Sequence, residues 1–245
     1  MSDTFGEYSW AVRTYECGPD GAATMASVCN WLQEAASLNA EALSFSKSNF
    51  ESAGENISWV LTRLKVKMLR FPKWGETVSI LTFPRGGRRI VARRDFVLTV
   101  PSGEELGSAT SEWMLIDLSS RKVVAIPEAV FAAANTVRKP VFGDEPFPKL
   151  RWECSAESAD ALAFRARRGD IDLNGHVNNV HYVEWLLESR PDAAGPCREL
   201  DMVFKSETLA GEEVRVESVE TEPDVFIHRV YAPDGRDHVL ARTAR

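Results

Sequence analysis

Long apolar runs are missing from this chain. No window approaches the roughly 20 apolar residues of a membrane-spanning helix, and the N-terminal stretch MSDTFGEYSW lacks the basic-then-apolar order of a leader peptide. No integral membrane segment and a cytoplasmic location are expected. Cysteine is scarce too: Cys17, Cys29, Cys154 and Cys197 are the only ones, and no two form a CxxC pair. A zinc cluster or a dense disulfide framework is therefore not expected. Excess basic charge is lacking, with 29 Lys and Arg against 36 Asp and Glu and a formal net charge of -7. That balance argues against broad nucleic-acid binding, which needs a cationic face to neutralise phosphates. No Gly-rich phosphate loop occurs, and His181, His228 and His238 stand at no ligand spacing from cysteine or acidic partners. No metal and no cofactor are expected.

What is present suits a globular protein: 245 residues, 44% hydrophobic and 27% charged, enough to bury one large core or two modest ones. From Ala22 to Leu38 the residues Met25, Val28, Cys29, Leu32, Ala35 and Ala36 recur at three- and four-residue steps, which predicts a helix with one buried stripe. After Ile57 the period changes. Leu64, Val66 and Met68 alternate with Arg63, Lys65 and Lys67, as on the two faces of a strand. Further strands are predicted at 77–83, 90–100 and 108–116, with turns at Pro84 to Gly87 and Pro101 to Gly103. The segment from Pro127 to Glu157, with Pro140, Pro146 and Pro148, lacks a sustained period and reads as a connector. Beyond it the order recurs: a helix over 179–189, carrying Val183, Leu186 and Leu187, then strands at 200–205, 214–219, 226–231 and 238–243.

The recurrence shows in residues as well. Asn30-Trp31-Leu32-Gln33-Glu34 matches Glu184-Trp185-Leu186-Leu187-Glu188, and Trp74-Gly75-Glu76-Thr77-Val78 matches Ala210-Gly211-Glu212-Glu213-Val214. Two copies of a helix on an antiparallel sheet are the economical α+β reading, since one such layer leaves apolar surface to be covered. A single α+β domain with coincidental similarity is the alternative.

Chemistry concentrates in RRGDIDLNGHVNNVHYVEWLLES, from Arg167 to Ser189. Asp172, Asn174 and His176 occupy alternate positions, which in an extended segment would face one way. Histidine exchanges protons near neutral pH when a neighbour fixes its tautomer. Val177, Asn178 and Asn179 lead into the helix, whose first amides and positive dipole end could hold a developing oxyanion. Asn178 or Asn179 can equally serve as the helix cap.

This stretch resembles the signature of plant and bacterial acyl-acyl carrier protein thioesterases, the FatA and FatB type. VRTYECGPDGAATMASVCNWLQEAA, ISWVLTRLKVKMLRFPKWGETV and the RRDF, SEWMLID and IPE segments resemble that family in the same order, over about Val12 to Val219. The resemblance implies a double hotdog, two tandem units forming a pseudo-dimer: an N-terminal domain over 1–135 that binds the acyl chain, a linker at 136–157, and a catalytic C-terminal domain over 158–245. It implies a thioester hydrolase of fatty acid biosynthesis acting on acyl carrier protein with a phosphopantetheine-linked chain, as a monomer or a homodimer. The family's catalytic pattern falls on Asp172, Asn174 and His176, and its acidic residue in the following strand falls on Glu207. The cysteine of that acidic motif is Thr208 here, a poor nucleophile without an evident base, so water is the expected nucleophile.

Aligning the repeats puts Asp20, Gly21 and Ala22 opposite Asn174, Gly175 and His176, and Phe71 opposite Glu207, so the first copy lacks the chemistry. Its Met25, Trp31, Phe50, Trp59 and Trp113 could line an acyl tunnel or form plain core. Carrier proteins are acidic, and Arg85, Arg88, Arg89, Arg93, Arg94, Arg167 and Arg168 are candidates for docking one; solvated strand faces are the bland alternative. An acyl-CoA thioesterase and a noncatalytic acyl-binding protein are the competing functions.

Overall fold

The computed structural model describes residues 4–134, 138–143, 145–153, 161–190 and 196–245, which form two compact units, Met1–Glu145 and Pro146–Arg245. Cys154 and part of the expected linker (136, 137, 144 and 154–157) lie outside the described residues.

In the first unit the strands Gly6–Ala11 (β1), Ile57–Met68 (β2), Thr77–Arg88 (β3), Val91–Thr99 (β4) and Glu105–Asp117 (β5) pair antiparallel in the order β1-β3-β4-β5-β2, and the short Lys122–Val124 (β6) adds to the end of β5. The helix Met25–Ala42 (α1) packs on β3 and β1. Thr24 caps it by accepting the Ser27 amide, and Met25, Val28, Cys29, Leu32, Ala35 and Ala36 are buried, the stripe its period requires. Fully buried Leu32 and Ala35 seat this helix, and Leu32→Ala would cost about 2–5 kcal/mol.

Two features of this sheet escape a simple period. Between Leu61 and Arg63 the β2–β5 register slips, leaving Thr62 as an extra residue whose hydroxyl donates to the Glu112 carbonyl. The bulge returns Leu61 and Leu64 to the same buried face. Pro84 to Gly87, expected as a turn, belongs to β3: Pro84 pairs with Arg94, and the hairpin turns at Arg89 and Ile90 instead. Proline is tolerated because β1 covers β3 only from Thr77 to Thr82, so Pro84 sits where β3 has an open edge. The expected connector also holds a short helix, Glu128–Ala132 (α3). With Lys47–Ser52 (α2) it supplies part of a cluster of Phe50, Leu115, Ile126 and Val130, against which Trp59 packs.

In the second unit Leu162–Arg165 (β7), Glu199–Phe204 (β8), Glu213–Glu222 (β9), Val225–Tyr231 (β10) and Asp237–Ala244 (β11) pair in the order β7-β9-β10-β11-β8, the same topology as the first sheet. The helix Asn179–Glu188 (α4) lies on β9 and β10. Val183 and Leu186 are buried as expected, whereas Leu187 is half-buried. The sheet buries a polar chain in which His228 contacts Ser218 through Nδ1 and Thr243 through Nε2. Burial, helped by the charge of Arg190, pushes that imidazole down to about 3, so it is neutral in the folded protein. Among the described residues no helix is long and apolar enough to cross a membrane, and no group of three or more His, Cys, Asp or Glu is placed to hold a metal ion.

Candidate active site

The stretch from Arg167 to Asn178 folds back on itself rather than running extended. A 3-10 turn, Arg168–Asp170, opens it, and the Asp170 carboxylate accepts the Arg167 amide at 2.7 Å. Ile171 then pairs with Val177 across a tight turn in which the Asp172 amide donates to the His176 carbonyl at 2.8 Å and the Gly175 amide to the Asp172 carbonyl at 3.0 Å. The turn needs a left-handed residue, and Gly175 supplies it at φ +84°. Asp172 Oδ1 accepts the Asn174 amide at 2.8 Å, so these two polar residues stabilise the turn. Among the described residues no hydrogen bond joins either to the His176 ring, and Asn174 is exposed.

The ring meets a different carboxylate. His176 Nε2 lies 3.0 Å from Glu207 Oε2, with 26% and 39% of the two side chains open to solvent. Glu207 is not in a strand, as its motif had implied; it stands in the loop after β8, which ends at Phe204. That loop is tied at both ends. The Lys205 amide donates to the His238 carbonyl on β11 at 2.8 Å, and the Thr208 carbonyl accepts the Val177 amide at 2.9 Å, next to His176. Thr208 itself is wholly buried, and its hydroxyl has no hydrogen-bonded base among the described residues. Nearby Tyr182 on α4 is no base either, because burial pushes its phenol up to about 12.

The amides expected to await an oxyanion are mostly engaged. Val177 donates to Thr208, Asn178 to the Asp170 carbonyl at 2.8 Å, Val180 to Asn178 Oδ1 at 3.1 Å, and His181 to the Asn178 carbonyl at 2.9 Å. Asn178 is thus the helix cap, Val177 is buried, and Asn179 is the first residue of α4.

The first unit repeats the backbone bonds of this frame without the His–Glu pair. Arg13 donates to Glu16 at 2.7 Å as Arg167 does to Asp170, and Cys17 pairs with Ala23 as Ile171 does with Val177. The Gly18 amide donates to Ala22, the Gly21 amide to Gly18 and the Ala23 amide to Pro72 at 2.8, 3.0 and 2.8 Å. Gly21 takes φ +74° in place of Gly175. By this match Ala22 stands for His176 and Phe71 for Glu207, the correspondence that aligning the repeats gives.

Met25, Trp31 and Trp59 belong to the first unit. Met25 and Trp31 are buried, with the Trp31 indole donating to Glu16 Oε1 at 2.8 Å, while half-buried Trp59 donates to the Phe45 carbonyl at 2.7 Å. Of the arginines, Arg85, Arg93 and Arg94 turn inward. Arg93 pairs with Glu112, Arg94 donates to Asn39 Oδ1 at 2.5 Å, and Arg85 donates to the Arg138 carbonyl at 2.6 Å. Arg88 and Arg89 are exposed at the β3–β4 hairpin, and Arg167 and Arg168 are exposed ahead of the site turn. Arg167 also borders a cleft of about 920 Å³ between β7 and α4, where Phe164 stacks on Trp185 at 5.6 Å. Beside Glu207, Ser206 Oγ lies 3.0 Å from His238 Nδ1, a contact between residues 32 positions apart that the β8–β11 pairing brings together.

A family model for the acyl-ACP thioesterase N-terminal domain matches residues 3–134, and one for the acyl-ACP thioesterase C-terminal domain matches 154–244. Among similar curated proteins, oleoyl-acyl carrier protein thioesterase 1, chloroplastic, of Arabidopsis thaliana is 30% identical over 79% of this chain and 57% of its own length. The acyl-[acyl-carrier-protein] hydrolase FATB2, chloroplastic, of Cuphea viscosissima is 30% identical over 96% of this chain and 61% of its own. The chain thus spans about three-fifths of the length of these relatives. Among solved structures, the 12:0-ACP thioesterase from Umbellularia californica superposes with a TM-score of 0.83 at 25% identity, covering 100% of this chain and 98% of that one. An acyl-ACP thioesterase from Bacteroides thetaiotaomicron shares the fold with a TM-score of 0.84 at 24% identity, covering 100% and 99%.

Proposed function

The chain belongs to the acyl-ACP thioesterase family, and on that premise we propose that it hydrolyses the thioester of a fatty acyl carrier protein and releases the free acid during fatty acid synthesis. The contact of His176 with Glu207 in the second unit carries this reading, set against Ala22 and Phe71 at the matching places of the first. With Glu207 ionised, the imidazole presents Nε2–H to it, which leaves Nδ1 as the basic nitrogen. The pair takes the proton of a water that attacks the thioester carbon; as the carbon–sulfur bond breaks, the proton passes to the phosphopantetheine thiolate. Negative charge on the carbonyl oxygen is favoured by the positive end of α4, where Asn179 is the residue we assign to substrate contact. Asp172 and Asn174 shape the turn that presents His176, and Thr208 takes no chemical part.

In the same reading the first unit holds the acyl chain, with Met25, Trp31 and Trp59 among its walls, and Arg88, Arg89, Arg167 and Arg168 face the acidic carrier protein. A cytoplasmic location belongs to the proposal, although the plant relatives are chloroplastic by name. The test compares hydrolysis of matched acyl-carrier and acyl-CoA substrates by the whole chain. Preference for the carrier substrate supports the proposal, equal or better turnover of acyl-CoA supports the CoA alternative, and binding without turnover contradicts catalysis altogether.

A further inference from the structure

Glu207 stands in a loop with no ladder of its own, so something else must fix its side chain toward His176. The backbone ties are not special to this site. In the first unit the Leu69 and Arg70 amides donate to the Leu106 carbonyl at 2.8 and 3.2 Å, just as the Lys205 and Ser206 amides donate to the His238 carbonyl at 2.8 and 3.4 Å. Leu106 therefore holds the place of His238, and Arg70 that of Ser206. Both Leu106 and His238 are wholly buried. A leucine suffices to build this corner where the loop carries Phe71; a histidine stands there only where the loop carries Glu207.

The extra bonds of that histidine have a definite direction. Ser206 Oγ lies 2.9 Å from the Asp237 carbonyl, which can only accept, so the single hydroxyl proton points there. Toward His238 Nδ1, at 3.0 Å, the hydroxyl must then accept, which places the imidazole proton on Nδ1. The same N–H faces the Ser206 carbonyl at 3.4 Å. Nε2 is left as a buried lone pair with no hydrogen-bond partner among the described residues. Burial holds the ring's affinity for a second proton below the ordinary value, aided by Arg236 and opposed by the Ser206 and Glu207 carbonyls and by Glu212. Asp237, the other support of Ser206, is fixed in turn by Lys205 Nζ at 2.7 Å and Arg229 Nε at 2.6 Å.

We infer that His238, through Ser206, is a positioning residue that holds Glu207 against His176; the inference rests on the proposed role of that pair. It is a neutral, one-donor strut rather than a base. Misplacing a catalytic group by an ångström can cost on the order of a hundredfold in rate.

The experiment compares His238→Leu, His238→Asn, Ser206→Ala and Glu207→Gln in the whole chain, using an acyl-carrier substrate and thermal melts. His238→Leu copies the first unit's own solution and should fold. It should lower kcat roughly 10- to 100-fold with KM changed by less than about twofold, and Ser206→Ala should do the same. His238→Asn, whose amide can replace Nδ1–H, should recover most of the rate. In the Glu207→Gln background His238→Leu should add almost nothing, because it acts through the carboxylate already lost. Wild-type kcat in both His238→Leu and Ser206→Ala, or a His238→Leu loss undiminished in the Glu207→Gln background, overturns the inference alone. A fully active Glu207→Gln overturns the reading of the site and the inference with it.

Discussion

Gly175 and Gly21 offer one perturbation with an internal control. Both take left-handed φ, +84° and +74°, and a Cβ built on either meets nothing within 4 Å, so alanine at either place brings strain without a clash. A left-handed alanine costs roughly 1–2 kcal/mol, and the lost freedom of the unfolded chain returns about 0.4–1 kcal/mol. Each substitution should therefore destabilise its unit by about 1 kcal/mol, a drop of roughly 2–4 °C in Tm. Their effects on catalysis should differ. Gly175 immediately precedes His176, and relaxing its φ swings the imidazole away from Glu207, 3.0 Å distant. Gly21 precedes Ala22, which has nothing to present. Gly175→Ala should lower kcat by about tenfold or more, while Gly21→Ala should leave kcat within about twofold of wild type. The assay pairs thermal melts with initial rates of fatty acid release from acyl carrier protein. Equal losses of rate at both glycines, or none at Gly175 despite the fall in Tm, would refute the argument that the turn matters through His176.

Other substitutions probe separate parts of the account. Thr208→Ala should keep most turnover if, as proposed, water is the nucleophile; loss by several orders of magnitude with melting unchanged would contradict that proposal. His228 binds a proton far more weakly folded, at about 3, than unfolded, at about 6.5. The unfolded chain takes up more protons between those values, so stability falls as pH drops through that window, by up to about 1.4 kcal/mol per pH unit. His228→Gln should flatten the acid arm of urea-melt stability measured from about pH 4 to 7, and an unchanged slope would mean that His228 is not the group responsible. Reversing Arg88 and Arg89 to Glu should raise apparent KM for the acyl-carrier substrate more than for acyl-CoA, and equal shifts would count against that hairpin as a docking patch.

Much of the fold could be read from the chain because its period is honest where one face is buried. The stripe through Met25, Leu32 and Ala36 gave α1, and the strands of the second sheet fell within a few residues of their places. What stayed hidden depends on partners distant in sequence. The bulge at Thr62 exists only in the pairing of β2 with β5, and Pro84 enters β3 because β1 stops at Thr82. The edge strands β1 and β7 are short and half-exposed, so their composition does not announce them. At the site, the repeat alignment placed Ala22 and Phe71 opposite His176 and Glu207, and the backbone bonds agree. Alternate spacing implied an extended segment at Asp172 and Asn174, whereas Gly175 at positive φ closes a turn in which the Asp172 carboxylate accepts the Asn174 amide.

A single His–Glu pair in the second unit is the proposed catalyst of acyl carrier protein thioester hydrolysis. Single-turnover release of fatty acid from acyl carrier protein by His176→Ala, by Glu207→Gln and by the double variant puts that proposal to the test. Each single change should slow release by about a hundredfold or more, with acyl-carrier binding and melting retained, and the double change should be little worse than either. Wild-type rates in either single variant, or losses that multiply in the double, would contradict a pair acting as one unit.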